Sequence, residues 1–435
     1  MNEPLHVYLF GDQTSDFVPE LRELFKVKEG CLLGSFFERT NIALRHEIAK
    51  NPREVQETIP CFSRLSDLLA QYASDTKAAP ILESTLMTLT QLASFIRYYG
   101  DNSDRSRIYP SPPGHVVLGI CTGLLAASAV ASSSGVADLV SLAVDTVVIA
   151  FRTGVQVARM KDHVDGGSEF TQSWSYVVSN MESDTAMSHI ERLSKSLNTR
   201  QDIPTISQPF ISAIGPSSVT VSGIPRYLKE LFGSTSVPQC KASPISIHAP
   251  YHAPHLYKES VIEHILGDLT TGVSRARLNL PIISSHTGQT MKGVTFVGLL
   301  RTALSEILLK PTRWDHVLSI DNTSWNLSQY SSCAVLPFCS NASQILAQAL
   351  RDRAGVTVEV HHAMNTRDIH PRKTLPAPSG RPEQSKIAII GFSGRFPRRI
   401  VHSFFGTFFI TAVTSTERCL PTASTLRPIM TLQEG

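Results

Sequence analysis

The chain has 435 residues, enough for two or three folded units, and 42% hydrophobic and 18% charged residues are typical of a globular protein with a substantial core. The formal charge of +3 is small, and no long basic run interleaves with aromatic residues, so we expect no nucleic-acid partner. Seven irregularly spaced cysteines argue against a disulfide framework or a zinc site and favour a reducing, cytoplasmic compartment. Residues 1–11 lack the basic and apolar regions of a signal peptide.

The first predicted elements follow one another as strand, turn and helix. Strand His6–Phe10 leads into a polar turn at Gly11–Thr14, and helical patterns come after it. The β-branched apolar run Val116–Ile120 has the length of a strand and passes through a glycine-containing turn into the small apolar helix Thr122–Ala131. This order is typical of an α/β fold.

Residues 116–151 are apolar enough to be weighed as a membrane segment. Ser132–Gly135 interrupts the run, and Asp138 and Asp145 lie in its second half. Two buried helices joined by a turn explain the pattern better than a bilayer span, so we expect no membrane association.

The pattern changes from about residue 158 to 240. A helix, two strands and a second helix, followed by a further strand at Pro244–Ile247, predict a small α+β insert. The main domain then resumes, with a helix at Tyr257–Leu266 and a strand at Ile282–Ser285. Four prolines in residues 371–385 predict a linker. The predicted organisation is a large subdomain in two parts around the insert, then the linker and a tail: 1–157, 158–240, 241–370, 371–385 and 386–435.

The strongest local signal is Gly119-Ile120-Cys121-Thr122-Gly123, between a predicted strand and a predicted helix. It has the form of a nucleophile elbow with sulfur in place of a hydroxyl, and side chains at the two glycines would collide with neighbouring backbone. The turn would place Cys121 at a helix N-terminus, where the helix dipole favours thiolate over thiol. The alternative is a buried cysteine in an ordinary glycine turn.

A nucleophile needs a base, and the loop after Pro250 offers His252 and His255. Prolines restrict this loop, which suits the positioning of a general base, although loop histidines are also common surface residues. At the end of the first strand, the backbone N–H of Gln13 could hold an oxyanion together with that of Thr122. The alternative for Gln13 is a plain polar turn.

Three motifs occur in one order: FGDQT at residues 10–14, GxCxG at 119–123 and PYHAPHLY at 250–257. Together they resemble the starter-unit acyl-carrier-protein transacylase domain of fungal non-reducing polyketide synthases. Ser173-Trp174-Ser175 also looks like a family position, and the similarity covers about residues 5–365. The overall pattern of the sequence is most similar to that of synthases that make anthraquinone-type polyketides.

The resemblance implies an α/β-hydrolase-like acyltransferase large subdomain with an inserted ferredoxin-like α+β small subdomain. It implies Cys121 and His252 as the catalytic pair, with His255 structural. Acyl-CoA is the implied donor and the phosphopantetheine of an acyl carrier protein the acceptor, with other polyketide synthase domains as partners and no metal or bound cofactor. Relatives that load extender units carry glutamate at the position of Leu124 and an arginine for the malonyl carboxylate, for which Arg152 is a candidate.

A second resemblance begins at Lys386 and stops at Pro397, where the sequence looks like the first strand of a β-ketoacyl synthase. We therefore expect residues 386–435 to be a truncated ketosynthase-like start without stable structure of its own. Two rival functions remain open at this point. The chain could be a catalytically idle synthase fragment or docking module, or a thioester hydrolase that uses the same dyad. The sequence leaves the acyl group open, with acetyl as the default.

Overall fold

The structure, a computed structural model, describes residues 4–27, 30–74, 78–100, 108–166, 172–179, 182–233, 241–267, 276–293, 295–319, 329–354 and 356–361. The predicted linker at 371–385 and the ketosynthase-like tail at 386–435 lie outside these residues. In chain order the elements are β1 (Leu5–Phe10), α1 (Val18–Leu24), α2 (Leu32–Ala49), α3 (Arg53–Thr58), α4 (Leu65–Ser74), α5 (Ala79–Gly100), β2 (His115–Gly119), α6 (Gly123–Ala131), α7 (Val136–Asp165), β3 (Ser175–Ser179), α8 (Ser183–Gln201), a short 3-10 helix (Thr205–Ser207), β4 (Phe210–Ile214), β5 (Ser218–Ser222), α9 (Pro225–Gly233), β6 (Lys241–Ile245), α10 (Glu259–Leu266), β7 (Ile282–Ile283), α11 (Phe296–Leu309), β8 (Thr312–Arg313), α12 (Trp314–Leu318), β9 (Ser332–Phe338), α13 (Ser343–Ala354) and β10 (Thr357–Val360).

The larger sheet is parallel and has the strand order β10-β9-β1-β2-β7. Its central strands β1, β2 and β9 are almost wholly buried, which explains why they read as continuous apolar runs rather than alternating ones. In the register of β1 and β2, Phe10 lies opposite Gly119. The polar turn after β1 and the cysteine turn after β2 therefore leave the sheet side by side.

Helices α5, α6 and α7 form the apolar layer beside this sheet. Residues Ala79–Ile96 of α5 and all of α6 are buried. The apolar stretch 116–151 becomes strand β2 and two helices with a break at Ser132–Gly135, as predicted. In the described part of the chain, no helix has the length and apolar content to cross a bilayer.

The smaller sheet contains β3, β4, β5 and β6 in the order β6-β3-β5-β4, with antiparallel neighbours. With α8 after β3 and α9 after β5, the chain order is β-α-β-β-α-β, which is the ferredoxin-like arrangement. The prediction of a ferredoxin-like insert is thus confirmed. Strand β8 adds to the β4 edge in parallel, so the second part of the large subdomain contributes to the small sheet.

The predicted boundaries of the insert need correction at both ends. Residue 158 falls inside α7, a continuous helix that ends only where Gly166 takes the left-handed conformation of a helix C-cap. Residues Lys241–Ile245 pair with β3 along their full length, so the small sheet extends at least five residues beyond the predicted end at 240. The first error arises because the local helical hydrogen bonds of α7 continue past residue 158. The second arises because the pairing of Lys241–Ile245 with β3 depends on the tertiary fold.

We predict that Gly154→Ala destabilises the fold. Gly154 on α7 faces α5, and an added Cβ would lie 2.1 Å from the carbonyl oxygen of Ile81. The two helices must then separate, at a cost of about 1–3 kcal/mol for an overpacked core. Thermal unfolding of Gly154→Ala and of the control Gly100→Ala checks this. The control Cβ would meet only side chains, at 3.6 Å or more. Equal melting temperatures for both variants would contradict the prediction.

Candidate active site

Cys121 lies in a sharp turn between β2 and α6, in the left-handed conformation with φ of 48°. The two glycines of the motif are required by close backbone contacts. A Cβ at Gly119 would lie 2.5 Å from the Cα of Leu124, and one at Gly123 would lie 2.4 Å from the carbonyl oxygen of Gly11. The geometry is that of a nucleophile elbow, and it leaves only 5% of Cys121 exposed.

His252 is the side chain that faces the thiol. Its Nε2 lies 3.1 Å from Cys121 Sγ, and only 6% of the residue is exposed. On the other side of the ring, Nδ1 lies 2.7 Å from the carbonyl oxygen of Lys310 and 3.0 Å from that of Glu306. A carbonyl oxygen only accepts, so Nδ1 carries the proton and Nε2 presents its lone pair to the thiol.

The C-terminal turn of α11 holds this histidine in place. The backbone N–H of His252 donates to the carbonyl oxygen of Ile307 at 2.9 Å. The carboxylate of Glu306 accepts from the hydroxyls of Ser284 and Ser285 at 2.5 and 3.1 Å, which anchors that turn to the loop after β7. The hydroxyl of Thr312 lies 3.4 Å from His252 Nε2. These supporting groups were not predicted from the sequence. The main-chain carbonyls leave no residue-type signal, and the side chains of Ser284, Ser285, Glu306 and Thr312 belong to no motif that marks them.

The turn after β1 lies against the thiol, as the pairing of β1 with β2 requires. Asp12 braces the turn, since its Oδ1 accepts from the backbone N–H of Thr14 at 3.1 Å. Burial raises the pKa of Cys121, and the backbone N–H of Thr122 and the side-chain amide of the buried Gln13 act in the opposite direction. Within the described residues the Gln13 amide makes no hydrogen bond of normal geometry. The structure therefore brings together the four predicted residues Cys121, His252, Gln13 and Thr122.

Burial decides the charge state of the dyad. It raises the pKa of the Cys121 thiol well above its usual range, and Asp12 raises that pKa further. Burial also lowers the pKa of His252, against the opposing effect of the carbonyl oxygens of Lys310 and Glu306. The resting pair is thus a neutral thiol beside a neutral imidazole. The expectation that the helix dipole would favour thiolate is wrong, because desolvation outweighs it.

Arg152, the candidate for binding an acyl carboxylate, is engaged elsewhere. Its Nε and Nη2 donate to the carboxylate of Glu47 at 2.6 and 3.1 Å, and Nη1 donates to the carbonyl oxygens of Ile265 and Leu266 at 3.2 and 3.0 Å. The guanidinium ties together α7, α2 and the C-terminal end of α10. This arrangement does not support the predicted role in substrate binding.

His255 and Leu124 also take structural positions. His255 lies at the surface, where its ring meets that of Phe210 edge to face at 4.8 Å. Leu124 is fully buried in the first turn of α6. In the described ranges no group of three or more histidine, cysteine, aspartate or glutamate side chains is arranged to hold a metal ion.

Comparison with known proteins gives a consistent result. The model of the family described as "Starter unit:ACP transacylase in aflatoxin biosynthesis" matches residues 8–252. The conidial yellow pigment biosynthesis polyketide synthase melA of Penicillium expansum is 38% identical over 91% of this chain, which spans only 18% of that relative. Two solved structures share the fold: MCAT from Mycobacterium tuberculosis (TM-score 0.53, 13% identity, 82% of this chain and 96% of that one) and a type II polyketide synthase acyl-carrier protein in complex with its malonyl-transacylase (0.50, 11%, 82% and 96%).

We predict that Cys121 ionises at higher pH than a free cysteine, whose thiol pKa is about 8.5. Because the pKa of Cys121 is raised, its thiolate is scarce at neutral pH and appears only as the pH rises further. Iodoacetamide alkylation of the Cys121 peptide, followed by mass spectrometry across a pH series, measures this directly. The rate should still be rising where that of N-acetylcysteine has levelled off. A plateau at lower pH than for the free thiol would contradict the neutral dyad.

Proposed function

The chain belongs to the starter unit:ACP transacylase family, and on that basis we propose that Cys121 carries an acyl group from an acyl-CoA thioester to a carrier-protein thiol. The predicted family, the α/β acyltransferase fold and the acyltransferase class are confirmed by the family match and the shared fold. The observation that carries the proposal is the 3.1 Å contact between Cys121 Sγ and His252 Nε2 at the elbow.

The first half-reaction forms a thioester on the protein. His252 Nε2 takes the thiol proton as Cys121 Sγ attacks the carbonyl carbon of the acyl-CoA. The backbone N–H groups of Gln13 and Thr122 stabilise the oxyanion of the tetrahedral intermediate. When this intermediate collapses, the bond to the coenzyme A sulfur breaks, and the imidazolium returns its proton to that sulfur. The products are acyl-Cys121 and free coenzyme A.

The second half-reaction runs the same steps with another thiol. His252 takes the proton of the carrier-protein phosphopantetheine thiol, whose sulfur attacks the acyl carbon and displaces Cys121. The imidazolium then protonates the Cys121 sulfur and restores the neutral dyad. One thioester replaces another, so the bond energy of the acyl group is kept, whereas attack by water would lose it as free acid. Burial of Cys121 and His252 keeps bulk water from the pair.

The groups that accept the hydrogen bond from His252 are uncharged carbonyl oxygens, and this fits the ping-pong reaction. Its Nδ1–H donates to carbonyl oxygens rather than to a carboxylate, so the acceptors fix the tautomer without a full charge. The thiol proton of Cys121 then moves to His252 only when an acyl carbon is in place to bond with the developing thiolate. A resting thiolate, which would react with other electrophiles, does not accumulate.

The proposed partners are an acyl carrier protein and other domains of a polyketide synthase. The family description names the carrier protein, and a fold neighbour is a malonyl-transacylase in complex with one. The relative from Penicillium expansum is a polyketide synthase several times longer than this chain. We propose acyl-CoA as the donor and leave the chain length of the acyl group to measurement.

Incubation with a panel of radiolabelled acyl-CoA thioesters and a phosphopantetheinylated carrier protein tests the proposal. We expect label on the carrier protein for at least one thioester, with little free acid. Free acid as the main product would instead identify a thioester hydrolase. No label on either protein, with no free acid, would identify an idle module.

We predict that Cys121→Ala abolishes transfer while the melting temperature stays close to that of the wild type. The elbow glycines already accommodate the turn, and alanine removes only the sulfur. Cys121→Ser should keep measurable transfer, because an oxygen nucleophile can use the same base and oxyanion donors. Initial rates of carrier-protein labelling check both variants. Transfer by a folded Cys121→Ala protein would show that another residue is the nucleophile.

We predict that His252→Ala lowers the transfer rate by roughly 10²- to 10⁴-fold, the usual contribution of a positioned general base. His255→Ala is the matched control, since it removes an imidazole from the same loop but one whose ring meets Phe210 edge to face at the surface. Its rate should stay within a few-fold of the wild type. Equal losses in the two folded variants would leave the assignment of the base to His252 without support.

A further inference from the structure

The turn between β1 and α1 carries the backbone N–H of Gln13, and hydrogen bonds within the turn make it rigid. The N–H of Thr14 donates to Oδ1 of Asp12 at 3.1 Å, and the N–H of Ser15 donates to the carbonyl oxygen of Asp12 at 3.3 Å. No acceptor within the described residues takes up the N–H of Gln13. Residues 12–15 therefore move as one unit, and the direction of the Gln13 N–H depends on how this unit is attached to β1.

Gly11 is the point of attachment, and its own backbone is free to rotate. A Cβ at this position would lie 2.0 Å from the carbonyl oxygen of Cys339, so only glycine fits here. Glycine has no side chain to restrict its φ and ψ angles. The packing that requires a glycine therefore also creates a pivot directly before the turn, and another group has to fix the peptide that follows it.

The side chain of Gln91 on α5 supplies this restraint. Its Nε2 donates to the carbonyl oxygen of Gly11 at 2.8 Å, and the residue is wholly buried. Since the peptide bond is planar and trans, this hydrogen bond also fixes the plane from which the chain enters the turn at Asp12. The same carbonyl oxygen packs against the elbow, because a Cβ at Gly123 would lie 2.4 Å from it. The Gly11 peptide is thus held between α5 and the first turn of α6.

The Gln91 amide is a costly group in the core. Its Oε1 has no hydrogen-bond partner within the described residues, so half of the amide is unsatisfied. A leucine would fill the same space without this penalty. The Nε2 donor therefore contributes something that an apolar side chain could not, and this contribution is the hydrogen bond to Gly11.

From this arrangement we propose that Gln91 is a positioning residue for the oxyanion hole, the pair of N–H groups of Gln13 and Thr122. By holding the carbonyl oxygen of Gly11, it directs the Gln13 N–H to the place where the acyl oxygen becomes negatively charged. Gln91 acts through the backbone of the turn and not on the substrate itself. The inference rests on the proposed function, because it concerns acyl transfer by Cys121.

The test compares two reactions of the same thiol. Acylation by an acyl-CoA develops negative charge on a carbonyl oxygen and needs the oxyanion hole, whereas iodoacetamide loses iodide from a saturated carbon and needs no oxyanion donor. Both rates are measured by mass spectrometry of the Cys121 peptide, the first with whichever of acetyl-, butyryl- and hexanoyl-CoA loads the wild type fastest. The ratio of the two rates reports on the oxyanion hole, because both reactions use the same sulfur.

Gln91→Met keeps the length of the side chain and removes the donor. Removal of an oxyanion donor costs about 10²- to 10³-fold in rate, so we expect misplacement of one to slow acylation by at least about tenfold while alkylation stays within about twofold of the wild type. Thr90→Val is the matched control, because Thr90 is equally buried on α5 and its hydroxyl donates to Leu86 of the same helix. It should leave both rates unchanged. Equal losses of both rates in Gln91→Met, or no loss of either, would overturn the proposal.

Gln91→Glu is a second variant, which can restore the donor. Burial favours the neutral acid, whose O–H can donate to the Gly11 carbonyl oxygen as the amide does. Relative to the wild type at each pH, its acylation should be faster than that of Gln91→Met and should slow as the carboxyl ionises with rising pH. Acylation no faster than in Gln91→Met at any pH would contradict the role of the donor. Failure of the wild type to load any thioester would instead count against the proposed function, so the two failures are distinguishable.

Discussion

The hydrogen bond from His252 Nδ1 to the carbonyl oxygens of Lys310 and Glu306 is the interaction on which the site depends. It fixes the tautomer, and the tautomer decides whether Nε2 can take a proton from Cys121. The elements that make it possible come from distant parts of the chain. Strand β2 and the elbow supply the thiol, the loop after Pro250 supplies the imidazole, and the last turn of α11 supplies the acceptors. That turn is itself anchored by Glu306 to Ser284 and Ser285.

The same buried setting controls reactivity. In bulk water the neutral pair is already favoured, because the thiol pKa of about 8.5 exceeds the imidazole pKa of about 6.5. Here desolvation penalises both charged forms further. The dyad stays neutral until an acyl carbon arrives, and it returns to neutrality after each half-reaction. The nearby carboxylates of Asp12 and Glu83 act in the same direction as burial on the thiol.

The sequence predicted the parts of the site that depend on local backbone geometry. The elbow glycines and the proline-bounded histidine loop are readable because only certain residues fit such turns. Strand β9 was missed, although it lies next to β1 in the larger sheet. A proline such as Pro337 argues against an inner strand, because it has no backbone N–H to donate. In the structure, β10 pairs with β9 only as far as Val335, so the missing N–H of Pro337 disrupts no hydrogen bond between these two strands. The ionisation of Cys121 was misjudged for a similar reason, because burial is a property of the assembled fold.

The most direct test of the account locates the acyl group during turnover. The protein is mixed with isotope-labelled acyl-CoA, quenched in acid within the first turnover, and digested for peptide mapping. We expect the label on the peptide that contains Cys121, as a thioester that hydroxylamine cleaves and that disappears when a phosphopantetheine thiol is added before the quench. Label on another residue, or transfer to the carrier thiol with no labelled protein at any time, would contradict transfer through Cys121.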